Sequence, residues 1–316
     1  ARASAFEASA QQALQSWGDF VKVRSVGMVG LHCAIYIRAA LAPFVRGVHA
    51  TRVKSGVLGR AGNKGSVAVR LEVFRTSLCF FCVHLESGVG KKAEQRFSQL
   101  GSAFHCFDNI ASSPCFAPGA ASVPVALRHD VVTVAGDFNM RLDLPAGSDA
   151  DDHLRDALRG SWDNPCSVVV PRPRDCGADD DFAQPRGLLR RASNGSRQAW
   201  RGFLRYDQLV TSMAQRFRPL GLLEGPVEFP PTYRMLHGTD EYDSLRTPAW
   251  CDRILYKAVG ARLMSYSAVR SLRGSDHRPV VALLEATLLG SPADKWALQA
   301  VRDNLACGQA GVASPL

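Results

Sequence analysis

The run Pro248-Ala249-Trp250-Cys251-Asp252-Arg253-Ile254-Leu255-Tyr256, followed by Ser275-Asp276-His277-Arg278-Pro279-Val280, constrains this chain more than any bulk property. Each stretch sets polar side chains beside an apolar, strand-like segment, so two aspartates and a histidine stand at strand ends. A third element lies upstream, where Val131-Val132-Thr133-Val134-Ala135-Gly136-Asp137-Phe138-Asn139 is an apolar strand pattern ending in Asp-x-Asn. Residues two apart on a strand point the same way, so Asp137 and Asn139 are expected to face one cleft. Carboxylates and an imidazole converging in this way can share one metal-assisted phosphate site.

Along the rest of the chain, residues 27–38 read as a strand, and 66–73 with 78–85 as an antiparallel hairpin. Residues 94–110 carry apolar side chains near helical spacing, 111–125 form a Ser, Pro and Ala-rich loop, and 149–159 form a short helix with Leu154, Ala157 and Leu158 on one face. From 163 to 199 the chain turns rich in Asp, Arg, Pro and Gly, a polar surface insertion with too few apolar residues to build a core. Residues 280–284 form a closing strand, and 289–316 a tail with one short helical stretch around Trp296. The 316 residues, 46% hydrophobic and 21% charged, suffice for one large core and hence one catalytic domain over residues 1–288. The longest apolar stretch, 26–37, is too short and too interrupted to span a bilayer. A net charge of +9 suits an anionic partner such as a phosphoinositide headgroup, a membrane surface or nucleic acid. Nine cysteines without a repeating spacing argue for free thiols, and Cys79 and Cys82, three apart on a strand, should point to opposite faces.

In this order the segments resemble the catalytic core of the inositol polyphosphate 5-phosphatases, which belong to the DNase I-like phosphoesterases of the endonuclease/exonuclease/phosphatase superfamily. Two signature blocks carry the resemblance, Gly136 to Arg141 and Pro248 to Leu255. Flanking matches are Gly62-Asn63-Lys64-Gly65, Val83-His84-Leu85, Tyr206-Asp207-Gln208-Leu209 and Phe229-Pro230-Pro231-Thr232-Tyr233-Arg234. Within the family, Thr76-Ser77-Leu78-Cys79-Phe80 and Arg141-Leu142-Asp143-Leu144-Pro145 are most similar to the synaptojanin branch. The resemblance spans roughly residues 17–288. It implies an α+β fold, a four-layer sandwich of two mixed β-sheets flanked by helices. The family's first two strands, bearing a Trp-Asn pair and a Gln-Glu pair, have no match here, so the chain resembles an N-terminally truncated domain. Glu7, the one acidic residue near the right place, reads as a helix-surface glutamate.

Hydrolysis of a phosphate monoester needs an aligned water, neutralised equatorial oxygens and help for the leaving alkoxide. Asp137 is the candidate for activating or orienting the water, and Asn139 can donate to the phosphate without adding negative charge. His277 is placed to bind or protonate the phosphate, with Asp252 fixing its tautomer, and Asp276 is the candidate for holding the metal. His84 resembles the family's second active-site histidine. Asp207 resembles a structural member of the cleft wall, and Cys251 reads as packing. Magnesium fits an oxygen-rich set of this kind. Around the ring phosphates the resemblance places Asn63, Lys64, Tyr233, Arg234, Arg246 and Arg253, cations and donors that would neutralise them. Arg234 and Ser244 depart from the family's usual lysines.

The implied activity is magnesium-dependent removal of the 5-phosphate from phosphoinositides or soluble inositol polyphosphates, in the cytoplasm and at membrane surfaces, with no nucleic-acid partner. Two other readings stand beside it. One is a non-catalytic inositide-binding protein. The other is another phosphodiesterase or endonuclease of the same fold, which would not explain Pro248 to Leu255 together with Pro231 to Arg234.

Overall fold

The computed structural model describes residues 2–56, 62–90, 92–109, 123–163, 199–258 and 261–290. Residues 164–198 of the polar insertion, 291–316 of the tail and 111–122 of the loop lie outside the described residues. A helix, α1 (Arg2–Gln15), precedes a hairpin of β1 (Phe20–Met28) and β2 (Leu31–Arg38). The single strand expected over residues 27–38 is thus the end of β1, a turn, and β2. The turn is set by Gly30, whose φ of +77° is left-handed backbone that glycine adopts without a steric penalty. Glu7 lies on α1, within 2.5 Å of Lys22 Nζ and 3.0 Å of His32 Nε2, so it serves to tie the helix to the hairpin.

There follow β3 (Val45–Lys54), β4 (Gly65–Val73), β5 (Thr76–His84), α2 (Lys92–Phe104), β6 (Val131–Asp137), α3 (Ala150–Leu158), α4 (Gln208–Ser212), β7 (Leu223–Glu224), β8 (Asp252–Ala258), β9 (Ala261–Ala268) and β10 (Val280–Ala286). Six strands form one mixed sheet in the order β3-β4-β5-β6-β8-β7, in which β5 and β6 run parallel and the other neighbours antiparallel. Neither β3 nor β9 stands out in the sequence. A register shift between Arg46 and His49 breaks the alternation of β3.

The strand alternation decides which face each residue serves. On one face Phe81, Val83, Val132, Val134 and Leu255 meet Leu100 and Phe104 of α2 and Leu209 of α4 in a closed core. Each such side chain removed from water contributes on the order of 1.5–3 kcal/mol. On the other face lies β1-β2, which closes Val26 and Leu31 over Val67 and Val69 with Cys82 beside them. The β9-β10 hairpin packs Tyr266, Ala268 and Val280 with Phe229, Trp250, and Leu154 and Leu158 of α3, which bears out the apolar helix face read from sequence. Cys79 and Cys82 do fall on opposite faces, and both are free thiols. These layers of sheet and helix are the α+β architecture expected. No helix among the described residues is long and apolar enough to cross a membrane.

Register positions the chemistry. In the pairing of β5, β6 and β8, His84 lies opposite Asp137, and Asp137 opposite Asp252, so three polar side chains form a row at one end of the sheet. Close approach of β5 and β6 requires Gly136, at φ +140°, because a Cβ there would sit 2.1 Å from the Val83 carbonyl oxygen.

Candidate active site

Asp137 ends β6, and Asn139 follows at φ +52°, a left-handed conformation that asparagine tolerates better than most residues. Strand alternation is therefore not what turns the two toward each other. Asn139 donates its backbone N–H to Asp137 Oδ1 over 2.8 Å, and its Nδ2 donates to Asp137 Oδ2 over 2.9 Å and to the Leu85 carbonyl over 3.1 Å. His84 Nε2 stands 3.3 Å from Asp137 Oδ2 and 2.5 Å from Lys64 Nζ. Burial lowers the pKa of Lys64, although the charges of Asp137 and Glu86 favour its cationic form.

The other half comes from β8 and the segment before β10. His277 Nδ1 lies 2.8 Å from Asp252 Oδ2, and the same oxygen accepts from Thr232 Oγ1 over 2.6 Å. Tyr233 packs its ring against His277, centroids 4.7 Å apart. Ligand atoms of Asp137, Asp252 and His277 all lie within 4.8 Å of one another. That proximity divides the two carboxylates. Burial raises the pKa of Asp252, and the neighbouring charge of Asp137 adds to the rise against the pull of His277. Burial also opposes ionisation of Asp137, but its hydrogen bond with His84 and the charges of both histidines outweigh this and lower its pKa. Burial disfavours the His277 imidazolium, yet Asp252, Asp137 and Asp276 together raise its pKa.

The remaining expected residues divide sharply. Asp276 is drawn to Arg234, whose Nε is 3.4 Å from it and 3.2 Å from Asp243, and it is not part of the three-residue group. Asn63 and Arg246 are exposed. Arg253 does not reach the cleft: it is 0% exposed, bonded to Glu224 at 2.6 and 2.5 Å and to Asp207 at 2.8 Å. A guanidinium closed inside two carboxylates has no donor to offer a substrate, so its role is packing of the signature strand. Asp207 also caps α4, accepting from the N–H groups of Leu209 and Val210, which agrees with its reading as structural. Cys251 is fully buried, its thiol pKa pushed up by burial, as a packing residue requires. Two further groups at the site lie inside the motif blocks read from the sequence, which assign them no role: Thr232, through its hydrogen bond to Asp252, and Arg141, whose guanidinium lies 4.5 Å from the Tyr233 ring centre.

The ends of β5, β6 and β8, with the segment before β10, thus bring two aspartates, two histidines and an asparagine together. The family model described as Endonuclease/Exonuclease/phosphatase family 2 matches residues 2–163 and 186–283. The chain belongs to the endonuclease/exonuclease/phosphatase family. Its relatives include human synaptojanin-1, 29% identical over 319 residues that cover 90% of this chain and 17% of that protein. The type IV inositol polyphosphate 5-phosphatase 7 of Arabidopsis thaliana is 30% identical over 279 residues, covering 85% of this chain and 39% of that protein. The chain thus spans well under half the length of either. Among solved structures it is similar to the inositol polyphosphate 5-phosphatase domain of SPsynaptojanin in complex with inositol (1,4)-bisphosphate and calcium ion, at TM-score 0.60 and 26% identity over 93% of this chain and 74% of that one. A Cimex nitrophorin in its ferrous NO complex, at TM-score 0.56 and 19% identity over 88% of this chain and 78% of that one, shares the fold alone.

Proposed function

We propose that this chain is the catalytic part of a magnesium-dependent phosphatase that removes the 5-phosphate from phosphoinositides or soluble inositol polyphosphates. The observation that carries the reading is the convergence of Asp137, Asp252 and His277 within 4.8 Å, flanked by His84 and Asn139. Relatives named as inositol polyphosphate 5-phosphatases support the substrate class.

The donor set suits a hard divalent cation. Asp137 and Asp252 supply carboxylate oxygens, while His277 commits Nδ1 to Asp252. These two aspartates would hold the ion, which supplies charge neutralisation at the phosphate. Asp137, kept ionised by its lowered pKa, orients the attacking water. His277, held by Asp252 and by the Tyr233 ring, presents Nε2 to a phosphate oxygen and donates a proton there. Lys64, hydrogen-bonded to His84, adds positive charge beside Asp137 on the side away from Asp252. Arg246, exposed three residues beyond Asp243, whose N–H donates to the Arg234 carbonyl, would meet a ring phosphate. With a net charge of +9 the domain acts in the cytoplasm at anionic membrane surfaces.

The test is product analysis by phosphorus NMR on inositol 1,4,5-trisphosphate with magnesium. The reading expects the 5-phosphate signal to disappear first, leaving the 1,4-bisphosphate. Loss from another ring position, or cleavage of DNA in its place, would remove it.

A further inference from the structure

The two halves of the site reach the cleft on different segments, Asp137 and Asn139 from β6, and Asp252, Thr232, Tyr233 and His277 from β8 and its neighbours. Arg141 touches both. Its Nη2 donates to Asn139 Oδ1 over 2.8 Å, and its guanidinium carbon lies 4.5 Å from the centre of the Tyr233 ring, which in turn packs on His277. The backbone that carries it is clamped: Arg141 N–H donates to Gln208 Oε1 over 3.0 Å, and Gln208 N–H returns a bond of 3.0 Å to the Arg141 carbonyl. Gln208 is itself 3% exposed and held by Arg96 Nη2 at 2.6 Å and by Asp143, to which it donates over 2.7 Å.

We infer that Arg141 is a positioning residue for the proposed hydrolysis, acting through Asn139 and Tyr233 and not on the substrate. A carboxamide presents an oxygen and a nitrogen of nearly equal shape, and only its partners decide which way it lies. A guanidinium can only donate, so Arg141 fixes Oδ1 on its own side and thereby aims Nδ2 at Asp137 Oδ2 and the Leu85 carbonyl. That amide donor holds the Asp137 carboxylate in one rotation. The planar fork lets a single side chain bond Asn139 while its guanidinium carbon sits over the Tyr233 ring, a pairing that a lysine ammonium cannot reproduce. Arg141 therefore ties the orientation of the Asn139 amide to the Tyr233 ring across the two halves that the β6–β8 register brings together.

The inference rests on the proposed function, and the experiment separates the two. R141K keeps the charge and loses the fork, and R141M is read in its place if R141K lowers the unfolding midpoint. Turnover should fall by about tenfold to a hundredfold, the range expected when catalytic groups are misplaced by about 1 Å, with KM little changed. Combined with N139A, R141K should cost little more than N139A alone, because both break the same link. Independently of turnover, the Asn139 side-chain amide protons should exchange slowly in the parent chain by NMR and quickly in R141K. Additive losses, or an Asn139 amide whose exchange does not change, would overturn the inference. A parent chain that releases no phosphate would remove the proposed function, while the amide exchange would still decide the role of Arg141.

Discussion

Asp252 and Arg253 are consecutive residues of β8, and each belongs to a cluster of two carboxylates and one cation. Inside the protein Arg253 sits between Asp207 and Glu224, with side-chain exposures of 0%, 0% and 5%. In the cleft Asp252 and Asp137 share His277, with side-chain exposures of 16%, 19% and 26%. The interior cluster is closed by donors from the protein: the guanidinium fork, two N–H groups at the start of α4, and the Tyr266 hydroxyl on Glu224. The cleft cluster has a titratable ring where the interior has a guanidinium, and its three side chains all keep some exposure to solvent. The same stoichiometry thus gives an anchor whose ion pairs are closed inside the fold, with Asp207 Oδ2 alone left without a donor, and a partly exposed group of the same kinds of side chain in the cleft.

The largest effect should come from breaking the anchor. Replacing Arg253 by Met strands two buried carboxylates, and urea unfolding should show a loss of about 3–5 kcal/mol, with activity lost through unfolding. A loss below about 1 kcal/mol would mean that the interior cluster is not an anchor. His277→Gln should invert the pattern, lowering turnover by about 10²–10⁴-fold while unfolding free energy stays within about 0.5 kcal/mol of the parent.

These contrasts were only partly legible in the sequence. Asp137, Asp252 and His277 could be found because each abuts a strand with a strong apolar pattern, and strand ends gather at a sheet edge. The core helix α3 was equally plain from Leu154 and Leu158. The opposite fate of Arg253 was not, since it depends on Glu224, 29 residues away on an edge strand two residues long, with no local signal. Asn139 was placed in the cleft for the wrong reason, because its left-handed backbone is invisible to a period-two argument. The turn at Gly30 hid inside an apolar run, and Arg141 owes its contact across the site to Tyr233, far along the chain.

Acid should separate the two regions further. His129 is buried, which lowers its pKa to about 4, while its Nδ1 stays bonded to the Ala126 carbonyl. Between the unfolded value of about 6.5 and that value the unfolded chain binds more protons than the folded one, so stability falls as pH falls through this window. The loss is at most about 3 kcal/mol at 1.36 kcal/mol per pH unit. His129→Asn should flatten the stability slope between pH 6.5 and 4 in thermal melts and leave the relative pH dependence of turnover unchanged. The smallest effect belongs to the rim, where Arg246→Ala should raise KM by about fivefold, roughly 1 kcal/mol, with no change in unfolding midpoint.

Phosphate release from inositol 1,4,5-trisphosphate by the parent chain and by Asp137→Asn, each with magnesium and with EDTA, tests the central claim most directly. The account predicts release by the parent that EDTA abolishes, and none from a folded Asp137→Asn. Headgroup binding without release by the parent, or equal release by the two proteins, would contradict it.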